Sequence, residues 1–220
     1  MSRLSSILGN LDKAQEEEVI KVAQEAISVE REREYCMWVK PTEEGWAWLR
    51  EHATTCYLDV LMPMLGGRRR VRAGADSCEM TVKVFDGADK IEENSEIGYA
   101  SGLSFYADGN AAHLFRRAHL PASEELVNKG GKHWDIDVFH VYNDHPSIPD
   151  KEALLALFEQ SGQGTSFGDW VKVELEVETF QLESILDYIP FAFEESMPSK
   201  PKDADSQEFL RNYWDNETRI

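Results

Sequence analysis

The chain is expected to fold as an α+β protein, an antiparallel sheet curled into a closed barrel with helices packed outside. Three observations predict this. At least six segments alternate apolar and polar residues with period two, as strands with one buried face do. Amphipathic helical stretches flank these segments. The polar side of nearly every strand is ionic, carboxylates on some and Arg or Lys on others, and a barrel encloses such faces while its apolar faces meet the helices.

At 220 residues, with 42% hydrophobic and 29% charged, the chain can bury a substantial core. No run approaches the roughly 18 apolar residues of a membrane span, and Met1–Asn10 lacks a basic-then-apolar leader pattern, so a cytoplasmic protein is expected. Cys36, Cys56 and Cys78 are far apart, which argues against both a disulfide framework and a zinc-ribbon spacing. A net charge of -18 repels polyanions and makes nucleic acid an unfavourable partner.

In chain order, Leu11–Ile27 places Val19, Ile20, Val22, Ala23 and Ala26 at helical spacing, which predicts a helix packing on the barrel from a 1–27 segment. Ser28–Lys40 alternates as a strand with Glu30, Glu32 and Glu34 on one face. Thr42–Thr54 predicts a helix capped by Thr42. Cys56–Leu65 and Arg68–Ala73 predict a hairpin turning at Gly66-Gly67, with Arg68, Arg70 and Arg72 aligned, and Glu79–Phe85 adds Lys83 beside Thr81.

Ile91–Tyr106 is expected to be a strand or strand pair carrying Glu92, Glu93 and Glu96. Asp108–Ala122 stays open: Ala111, Ala112, Leu114, Phe115 and Ala118 fit a helix, and a strand is the alternative. Lys132–His140 predicts a strand with Trp134, Ile136 and Val138 on one side and Asp135 and Asp137 on the other. A helix follows over Pro149–Gln160, a loop over Gly162–Gly168, and a strand over Val171–Glu178. A short helix over Gln181–Tyr188, a linker over Met197–Asp203 and a helix over Asp205–Trp214 complete the chain, the last two within a 191–220 segment.

The chemistry lies in the ionic faces. Glu174, Glu176 and Glu178 share one side of their strand, and in-line carboxylates repel unless they face water or share a cation. A solvated acidic face is the plain alternative, and a hard divalent ion the chemical one. Arginine forks and a lysine at Arg70, Arg72 and Lys83 suit phosphate oxygens, though a solubilising stripe has the same composition. Cations and carboxylates around one interior suit a metal polyphosphate.

Glu30-x-Glu32, Arg70-Val-Arg72, Thr81-Val-Lys83, Trp134-Asp-Ile-Asp-Val-Phe139 and Glu174-Leu-Glu176, in that order over residues 28–180, resemble the CYTH superfamily, the triphosphate tunnel metalloenzymes. The resemblance implies an eight-stranded antiparallel tunnel over 28–190, Mg²⁺ or Mn²⁺ as cofactor, and a triphosphate-containing small molecule as partner, with a homodimer as the assembly to test. By position it implies metal ligation by Glu30, Glu32, Glu174 and Glu176, catalytic roles for Glu32, Glu176 and Asp137, and phosphate contacts from Arg70, Arg72, Lys83 and Arg116. It would place Leu114–Leu120 in a strand with Arg116 or Arg117 inward. Asp135 and Glu96 would support these groups. The family's first strand reads Glu-x-Glu-x-Lys, whereas this chain has Glu34 at the third position. A triphosphatase cleaving the terminal phosphate is the expected activity. The alternatives are a class IV type adenylate cyclase, an RNA 5′-triphosphatase, and a binder of polyphosphate or nucleotide without turnover.

Overall fold

The computed structural model describes residues 33–64, 67–86, 89–140, 146–161, 168–178 and 182–198. The expected helix over 11–27, Glu30 and Glu32, most of the 162–168 loop and the helix over 205–214 lie outside the described residues. Nine strands, β1 (Arg33–Pro41), β2 (Thr55–Met64), β3 (Gly67–Ala73), β4 (Cys78–Asp86), β5 (Asp89–Glu96), β6 (Ala111–Pro121), β7 (Gly131–Phe139), β8 (Val171–Val177) and β9 (Phe193–Pro198), form one sheet. The helices are α1 (Glu43–His52), α2 (Tyr99–Ala107), α3 (Glu124–Val127) and α4 (Lys151–Ser161), with a 3₁₀ turn at Leu186–Tyr188.

The sheet order is β5-β4-β3-β2-β6-β7-β8-β1-β9, every described pair antiparallel. The expected closed eight-stranded barrel is therefore corrected to an open nine-stranded sheet. Its cause is at β1: closure would use that strand's second edge, and β9 occupies it from Met37↔Pro198 to Pro41↔Phe193. The sequence expectation ends the tunnel at residue 190 and assigns 191–220 to a linker and helix, so it has no strand at Phe193–Pro198. At the other edge, Glu93, Asn94, Ser95 and Glu96 are exposed on β5, and a charged edge discourages further pairing.

Apolar faces meet the helices, as expected from the alternation. Leu58, Val60, Val71 and Leu114 pack with Leu103, Leu154, Leu157 and Phe158 from α2 and α4. Val39, Ile136, Val171, Val173 and Leu175 pack with Leu49 of α1, Leu126 of α3 and with Ile185 and Phe191. Thr42 caps α1 by accepting from the Gly45 amide at 3.2 Å. That helix runs so close to the 190s segment that a Cβ on Gly45 would sit 2.0 Å from the Ala192 carbonyl oxygen.

Two local expectations change, and one open choice is decided. Residues 99–107 are the helix α2, because Tyr99, Leu103 and Tyr106 recur at helical spacing and Gly102 lets it approach Cys78. Residues 111–121 are the strand β6, with Ala112, Leu114 and Ala118 on the helix side and His113, Phe115 and Arg117 on the other. The short helix over 181–188 is reduced to the 3₁₀ turn. No helix among the described residues is long and apolar enough to cross a membrane.

His140, following β7 on the helix side, is fully buried, and its ring is pushed down to about 3 by burial and by the nearby Arg116 guanidinium. The unfolded chain takes up this proton near pH 6.5 and the folded chain does not until about pH 3. Stability present above pH 6.5 is thus lost between those values as pH falls, at up to about 1.4 kcal/mol per pH unit. His140→Asn is expected to flatten this acid limb in denaturant titrations run from pH 7 to 4. An unchanged slope would exonerate His140.

Candidate functional site

The face turned away from the helices curls around one cavity of about 250 Å³ that is touched by side chains from β1 through β8. Neighbouring strands lie about 4.8 Å apart, so a flat sheet could not bring β1 and β5 to one cavity of this size. The result is a cup, with an aromatic floor where Phe115 and Phe139 pack with Trp38 and Trp170.

Its charge is largely sorted by strand, with Glu92 of β5 beside the cationic wall and Lys172 of β8 within the acidic one as the exceptions. Arg68, Arg70 and Arg72 on β3 and Lys83 on β4 form one wall. Glu34 on β1, Asp135 and Asp137 on β7, and Glu174 and Glu176 on β8 form the other. Asp59 on β2 and Arg117 on β6 stand between them, and each pairs with the opposite charge on its neighbours.

Asp59 accepts from Arg72 Nε and Nη2, both at 2.8 Å, and is 3.9 Å from Arg70. Burial works against the ionised Asp59, but Arg72 outweighs it and holds the carboxyl below its ordinary value. Arg72 also lies over Tyr57 and Phe115. Arg70 is less compensated. It donates to Thr81 Oγ1 at 3.1 Å, its buried Nε has no hydrogen-bond partner, and burial together with the Arg72 and Arg68 charges lowers its hold on its proton. Lys83 pairs with Glu92 of β5 at 2.6 Å.

Arg117 is the hub of the opposite wall. Its guanidinium grips Asp137 at 2.6 and 2.8 Å, reaches Asp135 at 2.5 Å and lies 3.9 Å from Glu174. Burial opposes its charge, and Asp137, Asp135 and Glu174 outweigh that burial and raise its proton affinity. Burial raises the Asp137 carboxyl against the pull of this fork. Lys172 meets Glu174 at 2.5 Å, and despite burial this pairing holds Glu174 below its ordinary value. Glu176 is flanked by Lys132 at 2.9 Å and His133 at 3.4 Å, and it lies directly across from Glu34 in the β1–β8 ladder. Like charges placed opposite one another are unfavourable in a sheet, which is where a shared cation relieves most.

The structure places Arg70, Arg72, Lys83, Asp137, Glu174 and Glu176 around one cavity. Glu30 and Glu32 lie outside the described residues. Arg116 is corrected: it shares the helix side of β6 with Leu114 and Ala118, while its neighbour Arg117 faces the cup. Sequence reasoning missed Asp59, Arg117's hub role, and His113, His119 and His133, whereas Lys172 stands on the charged face of β8 with Glu174 and Glu176, where the alternation puts it. Asp59 carried a usable signal, since it is the one charged residue in a β2 stretch of otherwise apolar alternation. Glu34, Asp135, Glu174 and Glu176, on three adjoining strands, offer the oxygen chemistry that Mg²⁺ or Mn²⁺ takes, but among the described residues it is His119, His133 and Asp135 whose donor atoms converge within 4.8 Å. No family model matches the chain, and neither does any curated protein or solved structure.

Proposed function

We propose that the cup binds a small triphosphate-bearing molecule and, with Mg²⁺ or Mn²⁺, hydrolyses its terminal phosphate, as the resemblance to the triphosphate tunnel metalloenzymes implies. The observation that supports this is the sorting of charge: a cationic β3–β4 wall faces a carboxylate wall on β7, β8 and β1 across one cavity. Arg70, with Arg68 beside it, is the group best left to meet phosphate oxygens, because Arg72 is already committed to Asp59. Glu174 and Glu176 would hold the ion, with Glu30 and Glu32 from outside the described residues. A bound divalent ion supplies charge neutralisation on the phosphate oxygens and in the transition state. Water adds to the terminal phosphorus, and pyrophosphate leaves from inorganic triphosphate, or ADP from ATP.

At about 250 Å³ the cavity is below the roughly 300–1,000 Å³ that encloses drug-sized ligands. Inorganic triphosphate therefore suits it better than a whole nucleotide, and the cyclase reading loses support. Binding without turnover is the second reading. It is favoured by the internal pairing of Asp137 with Arg117 and of Glu174 with Lys172, which occupies the carboxylates that catalysis would need.

The test is to incubate the protein with Mg²⁺ or Mn²⁺ and, separately, inorganic triphosphate and ATP, and to resolve every product. Orthophosphate released faster from triphosphate is expected, with loss of turnover in Glu176→Gln at unchanged thermal stability. Cyclic AMP with pyrophosphate would overturn the reading in favour of the cyclase. Tight triphosphate binding without product would leave the binder.

A further inference from the structure

At the rim of the cup, two imidazoles that neither the charge sorting nor the proposed hydrolysis uses converge on Asp135 of the carboxylate wall. His119 on β6 lies directly across from Asp135 on β7, and His133 precedes Asp135 by two residues, so all three project to one face. One donor atom from each lies within 4.8 Å of the others, and the imidazole centroids are 4.5 Å apart. His119 Nδ1 is 2.7 Å from one Asp135 oxygen, and Arg117 holds the other. Glu176 brings a further oxygen to 3.4 Å from His133 Nε2.

We propose that His119, His133 and Asp135 form a metal site for a borderline divalent ion of the zinc class, with Glu176 within reach as a fourth ligand. The donor set decides the class. Imidazole nitrogens favour Zn²⁺, Co²⁺ or Ni²⁺, whereas Mg²⁺ and Mn²⁺ prefer oxygen donors alone. Ligands at 2.0–2.1 Å around a tetrahedral ion stand roughly 3.3 Å from one another. The His119–Asp135 contact therefore opens by about half an ångström and the wider gaps close by up to about 1.5 Å, within what side-chain rotation gives, since His119 is 64% exposed. Arg117 fixes the Asp135 carboxylate from behind, as outer partners of metal ligands commonly do. Exposure of His119 leaves the ion a way in.

The site does not depend on the triphosphate reading, and its test can be read without any turnover. Full-length protein stripped with chelator is titrated with Co²⁺ and with Zn²⁺, following the visible absorption of tetrahedral Co²⁺ and the heat of Zn²⁺ binding. The expected result is one equivalent bound with a tetrahedral Co²⁺ spectrum. His119→Ala and His133→Ala should each weaken binding at least about tenfold, while Glu174→Gln leaves the spectrum in place. Circular dichroism confirms folding, and His119→Gln serves as a second variant. Absence of Co²⁺ and Zn²⁺ binding at 100-fold excess over protein (about 1 mM) would overturn the proposal. So would Co²⁺ binding that both histidine substitutions leave unchanged, or that Glu174→Gln abolishes.

Discussion

Replacing Arg117 with alanine is expected to lower the free energy of unfolding by about 3–5 kcal/mol, the usual cost of stranding buried charges. The side chain is only 13% exposed and binds Asp137 through two contacts, with Asp135 and Glu174 in reach of the same guanidinium. Its removal leaves three carboxylates on adjacent strands without their shared cation. Urea titration reads the loss, and the double variant Arg117→Ala/Asp137→Ala should recover part of it, because fewer charges are then left unpaired. A loss below about 1 kcal/mol would mean that water already carries these carboxylates. Divalent ions should stabilise Arg117→Ala more than the parent protein, since they can replace the missing charge.

Arg70→Ala is expected to act on the ligand and leave the fold nearly untouched. Among the described residues Arg70 has no carboxylate closer than Asp59 at 3.9 Å, and it sits between Arg68 and Arg72, so removing it relieves repulsion as well as losing a contact. A charge-assisted hydrogen bond to phosphate is worth about 1.5–3 kcal/mol, so KM for inorganic triphosphate should rise about 10- to 100-fold. Arg72→Ala should show the reverse balance, because it frees buried Asp59 and costs stability first. If no turnover is found, calorimetric Kd replaces KM. Equal affinity in Arg70→Ala and the parent would take Arg70 out of the phosphate site.

Much of the cup was legible from period two alone. Val171–Val177, with buried and half-buried residues in strict alternation, and Gly131–Phe139 bear their faces in sequence because each apolar side meets a helix layer while the other side is charged. Residues 111–121 were not legible, since Ala112, Leu114, Phe115 and Ala118 satisfy both periods, and the choice between Arg116 and Arg117 depends on which face pairs with Asp137. Closure could not be read either. Alternation reveals a strand's faces but says nothing of its edges, and Phe193–Pro198, rich in Glu and ending in Pro, gave no sign that it would take the outer edge of β1. The His119–His133 pair escaped because its members are diagonal neighbours on two strands, a relation created only by the β6–β7 register.

The near balance of charge within the cup has a kinetic side. Among the described residues, seven carboxylates and six Lys or Arg side chains line it, a difference of one unit against the chain's net -18, so these groups contribute little to the field around the protein. A polyanion approaching from solution meets that outer field before it meets Arg68 or Arg70. At low ionic strength the field slows capture, and as salt shortens the Debye length toward about 10 Å at 0.1 M, capture quickens, the reverse of an electrostatically steered site. The penalty grows with the charge of the visitor. Long polyanions are turned away at a distance, and a triphosphate already wrapped around a divalent ion reaches the arginines most readily.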